Sequence, residues 1–342
     1  MSPPGKDFGD NYTPKPPLFS STDNIQHLTV EGESSYARWM DERHLDHITS
    51  AEKGGKMKDL IIYEKPELKA ASMVLGFSGW MDGGDVSTGT VEYLKNKLKA
   101  KKFAEIKPER FYIFNLPGTM QQVAQFRPYT KIQNGIVKEF QYPQNEFFYD
   151  EKNNLILFSG KEPNLRWDEY ANCILNLGEN FNLKRICFAG SVAGPAPHTR
   201  EVRVTCSFSS ERQKINLKDY DVRFTNYEGP ASITTLLTRL SREKGVEMIN
   251  FVAEIPVYIQ TRNPKGIKAI MKRLVKLLNL DIDLTELSKM SEEFEKNVNE
   301  AVAKQPQLAE QIKKLEENYD KELFDQKGDF ESWLKQYGID KL

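Results

Sequence analysis

The sequence predicts an α/β domain with a mainly parallel sheet that admits some antiparallel pairing, followed by a purely helical C-terminal part. Three observations predict it. Short apolar, β-branched or aromatic runs recur at 73–77, 110–114, 155–158, 185–189 and 248–253. They lack strict alternation, as strands covered on both faces do. Helical patterns separate them, and Gly79, Gly160 and Gly190 lie just after three of the runs, so the order reads strand, turn, helix.

Taken in order, residues 1–56 read as a polar, largely disordered leader. Pro3, Pro4, Pro14, Pro16 and Pro17 crowd its start, and Asp, Ser and Glu fill much of the rest; such a composition has little to bury. A short helix is expected near 36–47. Met57, followed by Leu60-Ile61-Ile62, marks the expected start of the folded domain, 57–282, and is the expected native start.

The run 73–77 leads into Gly76-Phe77-Ser78-Gly79-Trp80-Met81-Asp82-Gly83-Gly84-Asp85, and a helical pattern with Val86, Val91, Leu94 and Leu98 follows. Adjacent glycines permit positive φ or close backbone approach, and Asp85 is placed to cap the helix. Run 155–158 leads through Gly160-Lys161-Glu162-Pro163-Asn164-Leu165-Arg166-Trp167 to a helix with Tyr170, Ile174 and Leu177. Run 185–189 leads into Gly190-Ser191-Val192-Ala193-Gly194-Pro195-Ala196-Pro197-His198-Thr199-Arg200, a loop stiffened by prolines. Residues 202–207 alternate, with Arg203 and Thr205 outward, as a half-exposed antiparallel strand would. Tyr227-Glu228-Gly229-Pro230-Ala231-Ser232 enters a helix with Ile233, Leu236, Leu237 and Leu240. Pro264 opens another, with Ile267, Ile270, Met271 and Leu274; proline is well placed at a helix start, where its missing N–H costs nothing. Lys265, Lys268, Lys272, Arg273 and Lys276 make that helix basic, as a solvated face or a surface for an acidic partner.

From 283 to 342 the strands stop. Leu284, Leu287, Met290, Phe294, Val298 and Val302 keep helical spacing; Pro306 interrupts; Leu308, Ile312, Leu315, Tyr319 and Leu323 resume it. The result is a helical hairpin with one apolar stripe per helix. Each stripe must be buried, either on the chain's own domain or on a partner.

Composition bounds the function. The 342 residues carry 48 basic and 49 acidic side chains, which speaks against a dedicated nucleic-acid binder. A hydrophobic fraction of 39% is low for a compact domain throughout its length. No apolar run approaches the ~20 residues of a membrane span, and the polar N-terminus has no signal-peptide stretch. Cys173, Cys187 and Cys206 are few and scattered, which suits buried thiols in a reducing cytoplasm. A cytoplasmic protein with no membrane or nucleic-acid partner is expected.

Four turns at strand carboxyl ends converge on one edge of such a sheet, where α/β proteins place their sites. The expected ligand or interface cleft is Ser78, Trp80, Asp82, Glu162, Asn164, Arg166, Trp167, His198 and Arg200. Gly76-Phe77-Ser78-Gly79-Trp80 nearly matches the G-x-S-x-G elbow of hydrolases, with His198 and Asp82 as triad partners, but Trp80 replaces its last glycine. The segment lacks the Lys-Ser/Thr of a phosphate loop, and Asp82 and Asp85 oppose a phosphate. Arg166 can grip a carboxylate or pair with Asp82 or Glu162, and Asp82 is best read as a partner of Arg166 or Arg200. His44 and His47 lie three apart in the leader, which is chance spacing more than a metal site. No metal, no cofactor and no catalytic residue is assigned.

The segments at 75–84, 160–167 and 197–200 together resemble the proteasome assembly chaperone family, and in particular its archaeal and bacterial members related to the second eukaryotic assembly chaperone. The resemblance covers about 57–325, including the helical tail of the prokaryotic branch. It implies a three-layer α/β/α fold with a mixed central sheet, akin to the phosphorylase/hydrolase-like folds. It also implies a homo-oligomer acting as a protein-interaction or assembly factor, with proteasome subunits among its partners. Some relatives carry ligase-like labels, but the chain lacks a Gly-rich lid paired with metal-binding carboxylates. The alternative is a small-ligand-binding protein or a ligase- or hydrolase-like enzyme that uses the converging loops. One departure stands out: chaperones and activators that dock into proteasome pockets often end in hydrophobic-Tyr-any residue, whereas this chain ends Ile339-Asp340-Lys341-Leu342, with Tyr337 further back.

Overall fold

The computed structural model describes residues 58–336. The leader 1–56, with His44 and His47, lies outside the described residues, as do Tyr337 and the four terminal residues. One nine-stranded sheet carries the fold. Its order is β1 (Leu60–Ile62), β3 (Lys101–Ile106), β6 (Glu146–Asp150), β7 (Leu155–Lys161), β2 (Ser72–Ser78), β8 (Arg185–Gly194), β11 (Glu247–Pro256), β9 (Val204–Phe208) and β10 (Arg223–Phe224). The helices are α1 (Val86–Leu98), the single turn α2 (Met120–Val123), α3 (Trp167–Glu179), α4 (Arg212–Leu217), α5 (Ile233–Glu243), α6 (Pro264–Leu278), α7 (Thr285–Ala303) and α8 (Pro306–Gln336).

The centre of the sheet, β7-β2-β8-β11, is parallel throughout. Antiparallel pairing begins outside it, through β6, β3 and β1 on one side and β9 on the other. The sheet is therefore mixed, with the long strands in the parallel middle.

Period-two alternation on the central strands makes the layers. On β2, Met73, Leu75 and Phe77 face one core with Phe158, Phe188 and Tyr170, beneath α3 and α5. Val74 points the other way, with Leu157, Ala189 and Phe251, beneath α1 and α6. Both faces are apolar because both are covered, which is why the runs do not alternate in hydropathy. Each fully buried large side chain contributes ~1.5–3 kcal/mol. The connection β2–α1–β3 runs across the sheet in one direction and β7–α3–β8 in the other. Right-handed crossovers then put α1 and α3 on opposite faces.

The expected strand 110–114 is not one. Phe111 and Tyr112 are buried, but as plugs in a loop. Phe111 O accepts Asn164 N–H and Leu165 N–H at 2.9 and 3.0 Å, and Tyr112 OH bonds Asn145 Oδ1 and Lys161 O at 2.6 and 2.7 Å. The strand beside β6 is Lys101–Ile106, whose charged and apolar residues mix. The same apolar run thus serves the core without joining the ladder.

Between that loop and β6 the chain makes an excursion. It holds a separate two-stranded hairpin, β4 (Tyr129–Gln133) and β5 (Ile136–Gln141). Asn134 and Gly135 both have positive φ, 51° and 75°, as a type I′ turn requires.

α7 and α8 form the expected hairpin and pack on the chain's own domain. Leu287, Ser291, Ile312 and Tyr319 are buried, whereas Met290 stays 42% exposed. The basic helix α6 faces its own chain as well. Lys265 pairs with Glu295 at 2.5 Å, and the buried Arg273 bonds Asp221 Oδ2 at 2.5 Å and the carbonyls of Tyr220 and Asp221.

Candidate functional site

The turns after β2 and β7 and the start of α5 meet at one carboxylate. Glu162 N–H donates to Ser78 O at 2.9 Å. Glu162 Oε2 accepts Trp80 N–H at 3.2 Å, and Oε1 accepts Ile233 N–H at 2.9 Å. Ser232, at the N-cap of α5, makes no side-chain capping bond of its own. Glu162 therefore caps that helix from a distant turn, where a negative charge also complements the helix dipole. Gly79 has φ +129°, and a Cβ there would stand 3.2 Å from Glu162 Cβ, so a side chain would press on this junction.

The third turn joins at the crevice between β2 and β8. Connections leave these two neighbouring strands in opposite directions, the position at which open α/β sheets bind ligands. Here the crevice is filled by the chain. β2 and β8 stay in register only as far as Leu75 and Phe188. Beyond that point the Ser87 hydroxyl enters between them, accepting Phe77 N–H at 2.9 Å and donating to Ala189 O at 2.5 Å. Ser191 N–H then bonds Met81 O at 2.9 Å, and Ser191 Oγ bonds Gly83 O at 2.6 Å.

Asp82 sits on this plug and corrects two expectations. It pairs with neither Arg166 nor Arg200. Its Oδ1 accepts Ser87 N–H and Thr88 N–H at 2.8 and 3.1 Å, and its Oδ2 accepts Thr88 Oγ1–H at 2.8 Å. Asp82, not Asp85, thus caps α1. Asp85 lies in the left-handed region at φ 50° without a side-chain capping bond, because the extra turn at 83–85 brings Asp82 over the helix end. Burial pushes the Asp82 carboxyl up from 3.8 to about 6, against the hydrogen bonds from Thr88 and Ser87 that pull it down.

The remaining residues of this group are also engaged. Arg166, itself in the left-handed region, pairs with Glu169 at 2.7 Å, on which Arg110 also converges. It bonds neither Asp82 nor Glu162. Asn164 Oδ1 accepts Ile113 N–H at 3.1 Å. Trp167 donates Nε1–H to Pro163 O at 2.8 Å and packs on the core. On the outside of these turns Trp80, Leu165 and Tyr227 are exposed, Trp80 by 63%.

His198 and Arg200 belong to a different place. They do not share a cleft with Ser78 or Asp82, and no elbow triad forms. Tyr258 OH accepts the His198 backbone N–H at 2.9 Å and shares a hydrogen with His198 Nδ1 at 2.7 Å. Asn299 Oδ1 on α7, which can only accept, faces His198 Nε2 at 3.0 Å, so Nε2 donates and Nδ1 of the neutral ring accepts. Burial lowers the His198 pKa below its ordinary value, opposed by Asn299 and Glu295. Thr199 Oγ1–H donates to Glu316, and Arg200 forks onto Asp320 at 2.9 and 2.8 Å, both on α8. Arg203 lies 3.4 Å from the Tyr319 ring centre, and Tyr319 OH donates to Glu201 O at 2.6 Å. The loop is a clasp for the helical hairpin. Tyr258 and Asn299, two of its working parts, carry no signal in the sequence; Tyr319 is legible as a member of the apolar stripe.

Among the described residues there is no group of three or more His, Cys, Asp or Glu able to hold a metal. What this edge can do chemically is bounded by occupancy. Asp82 and Glu162 cap helices, Arg166 is paired with Glu169, and Trp80, Leu165 and Tyr227 are the large apolar side chains exposed around them.

The model of the PAC2 family matches residues 76–302. An uncharacterized protein of Methanocaldococcus jannaschii is 27% identical over 148 residues, which is 43% of this chain and 47% of that protein. The chain thus spans about half the length of that relative. The Mycobacterium tuberculosis proteasome-assembly chaperone homologue Rv2125 superposes with a TM-score of 0.62 at 26% identity, over 70% of this chain and 99% of that one. A PAC2 family protein from Streptomyces avermitilis superposes with a TM-score of 0.59 at 27% identity, over 71% of this chain and 99% of that one.

Proposed function

The chain belongs to the PAC2 family, and from that premise we propose that it works as an oligomeric protein-interaction or assembly factor rather than through chemistry at the sheet edge. One observation carries this reading. The polar side chains that converge there are spent on capping and joining the fold, with Glu162 holding three segments together, while Trp80, Leu165 and Tyr227 stay exposed around them. An edge built this way offers apolar contact to a protein surface and few free groups to a small ligand.

Likeness to a proteasome-assembly chaperone homologue supports proteasome subunits as the clients. Among the described residues no helix is long and apolar enough to cross a membrane, and the three cysteines are free and buried. Both features support work in the cytoplasm, where thiols stay reduced. Affinity purification of the full chain from its own host tests the client. Proteasome α-type subunits are expected among the stoichiometric partners. Their absence, with another protein in their place, would move the role to a different assembly.

A further inference from the structure

Lys161 ends β7 beside the junction made by Glu162, and its side chain takes no part in that junction. Its main chain is firmly held. It pairs in register with Ser78 on β2. Its N–H donates to Asn145 Oδ1 at 3.2 Å, and its carbonyl accepts Tyr112 OH and Tyr170 OH at 2.7 and 3.3 Å. From this fixed base the half-buried side chain donates from Nζ to Gln125 O at 2.7 Å, in the excursion just past α2.

No carboxylate accompanies this amine. Among the described residues its one acceptor is that neutral carbonyl. Other lysines drawn against the protein have counter-charges. Lys265 pairs with Glu295 at 2.5 Å, Lys244 with Glu179 at 2.5 Å, and Lys102 with Glu105 and Glu146, both at 2.7 Å. Desolvation with no opposite charge disfavours the ammonium relative to the amine, and burial alone lowers the Lys161 pKa below its ordinary value. A lysine with a larger share of unprotonated amine is the better nucleophile at neutral pH. The bond to Gln125 O lies at the surface, so an electrophile reaches Nζ from solvent.

We propose that Lys161 is an acylation site, the lysine of this chain that takes an acyl group from a thioester ahead of the others. The Nζ lone pair attacks the acyl carbon. A C–N bond forms, the C–S bond breaks, the thiolate leaves, and the proton lost from nitrogen goes to solvent. The three native cysteines are buried and do not compete for the acyl group. The amide formed keeps one N–H for Gln125 O but no charge, so the tie to the excursion loses its charge-assisted strength. This is a modification of the chain and not a turnover, and it stands independently of the oligomeric reading above.

The test uses the full chain and a small neutral probe, the S-acetyl thioester of N-acetylcysteamine, reacted to less than one acetyl per chain and read by peptide mass spectrometry. At pH 7.5 Lys161 is expected to react several-fold faster than the exposed Lys101 and Lys184. The lead should narrow at pH 9.5, where exposed amines lose their protons as well. It should vanish in urea, where burial is gone. Lys161 reacting no faster than Lys101 and Lys184 at pH 7.5 overturns the site. A lead that persists in the unfolded chain assigns it to local sequence and overturns it too. The tie has its own readout. Amide protection over residues 120–127 should fall several-fold in the uncharged Lys161→Gln and stay near wild type in Lys161→Arg; equal protection in all three proteins overturns the weakened tie.

Discussion

If Glu162 is a structural junction, Glu162→Ala must destabilise the fold by a calculable amount. The substitution removes the acceptor for Ile233 N–H at 2.9 Å and for Trp80 N–H at 3.2 Å. The first is partly buried at the start of α5 and loses a charge-assisted bond worth ~1.5–3 kcal/mol. The second lies near solvent, where water recovers most of the loss. The lost charge at the helix N-terminus adds ~0.3–1 kcal/mol. Because Ser232 supplies no cap of its own, nothing local substitutes, and the expected total is about 2–3 kcal/mol. Glu162→Gln keeps one acceptor and should lose about half of that, on the same scale. Urea unfolding reads the effect as a lower midpoint with an unchanged slope. A catalytic or ligand-binding carboxylate behaves otherwise, since such groups are commonly held at a cost to stability. An alanine variant as stable as wild type, or more so, would refute the junction and return Glu162 to a ligand site.

Asp82 titrates at about 6 in the folded chain against 3.8 as its ordinary value, so the folded state binds the extra proton between those pH values. Its contribution is most favourable at the acid end and falls by about 3 kcal/mol as pH rises through 6; comparing wild type with Asp82→Asn by urea unfolding from pH 4 to 7.5 should show that slope only in wild type. His198 shifts the other way. Its neutral form holds the clasp, so hairpin stability is full above its ordinary pKa and declines as pH falls below it. Protection factors of the α7 and α8 amides, with the pH dependence of intrinsic exchange divided out, should fall from pH 7.5 to 5.5, and His198→Ala should lower them at both pH values, by ~1–3 kcal/mol of local stability. Gly76→Ala would place a Cβ 2.7 Å from Ser87 O and from Val91 Cγ2. Pushing α1 off β2 should cost ~1–3 kcal/mol in thermal or urea unfolding, whereas Gly135→Ala meets no atom but must keep φ 75° and should cost less than that.

Much of the fold is legible in the sequence because both faces of the central strands are covered. The runs at 73–77, 155–158, 185–189 and 248–253 each fall in a parallel strand, and the alternating segment from 202 on holds the antiparallel β9. The run at 110–114 misleads because apolar residues record burial, not pairing, and a loop can bury Phe111 and Tyr112 as well as a strand can. The β4–β5 hairpin escapes a search for apolar runs because its residues alternate with charged ones. Asn134-Gly135 between alternating segments is nonetheless the strongest short hairpin signal. At the site, residue types are readable and partners are not. Asp82 turns to α1 because the turn at 83–85 carries it over the helix end, a geometry that two glycines permit but do not announce. The His198 and Arg200 segment looks like a third active-site loop until α7 and α8 close on it, and their approach depends on contacts more than 100 residues apart.

Native mass spectrometry of the full chain purified from its own host tests the central claim most directly, because one spectrum reads chain number, bound protein and bound small molecule together. Work through protein contact predicts multiples of the chain, alone or with whole protein subunits, and no small-molecule adduct that survives buffer exchange. A single chain carrying a tightly held small molecule would contradict it.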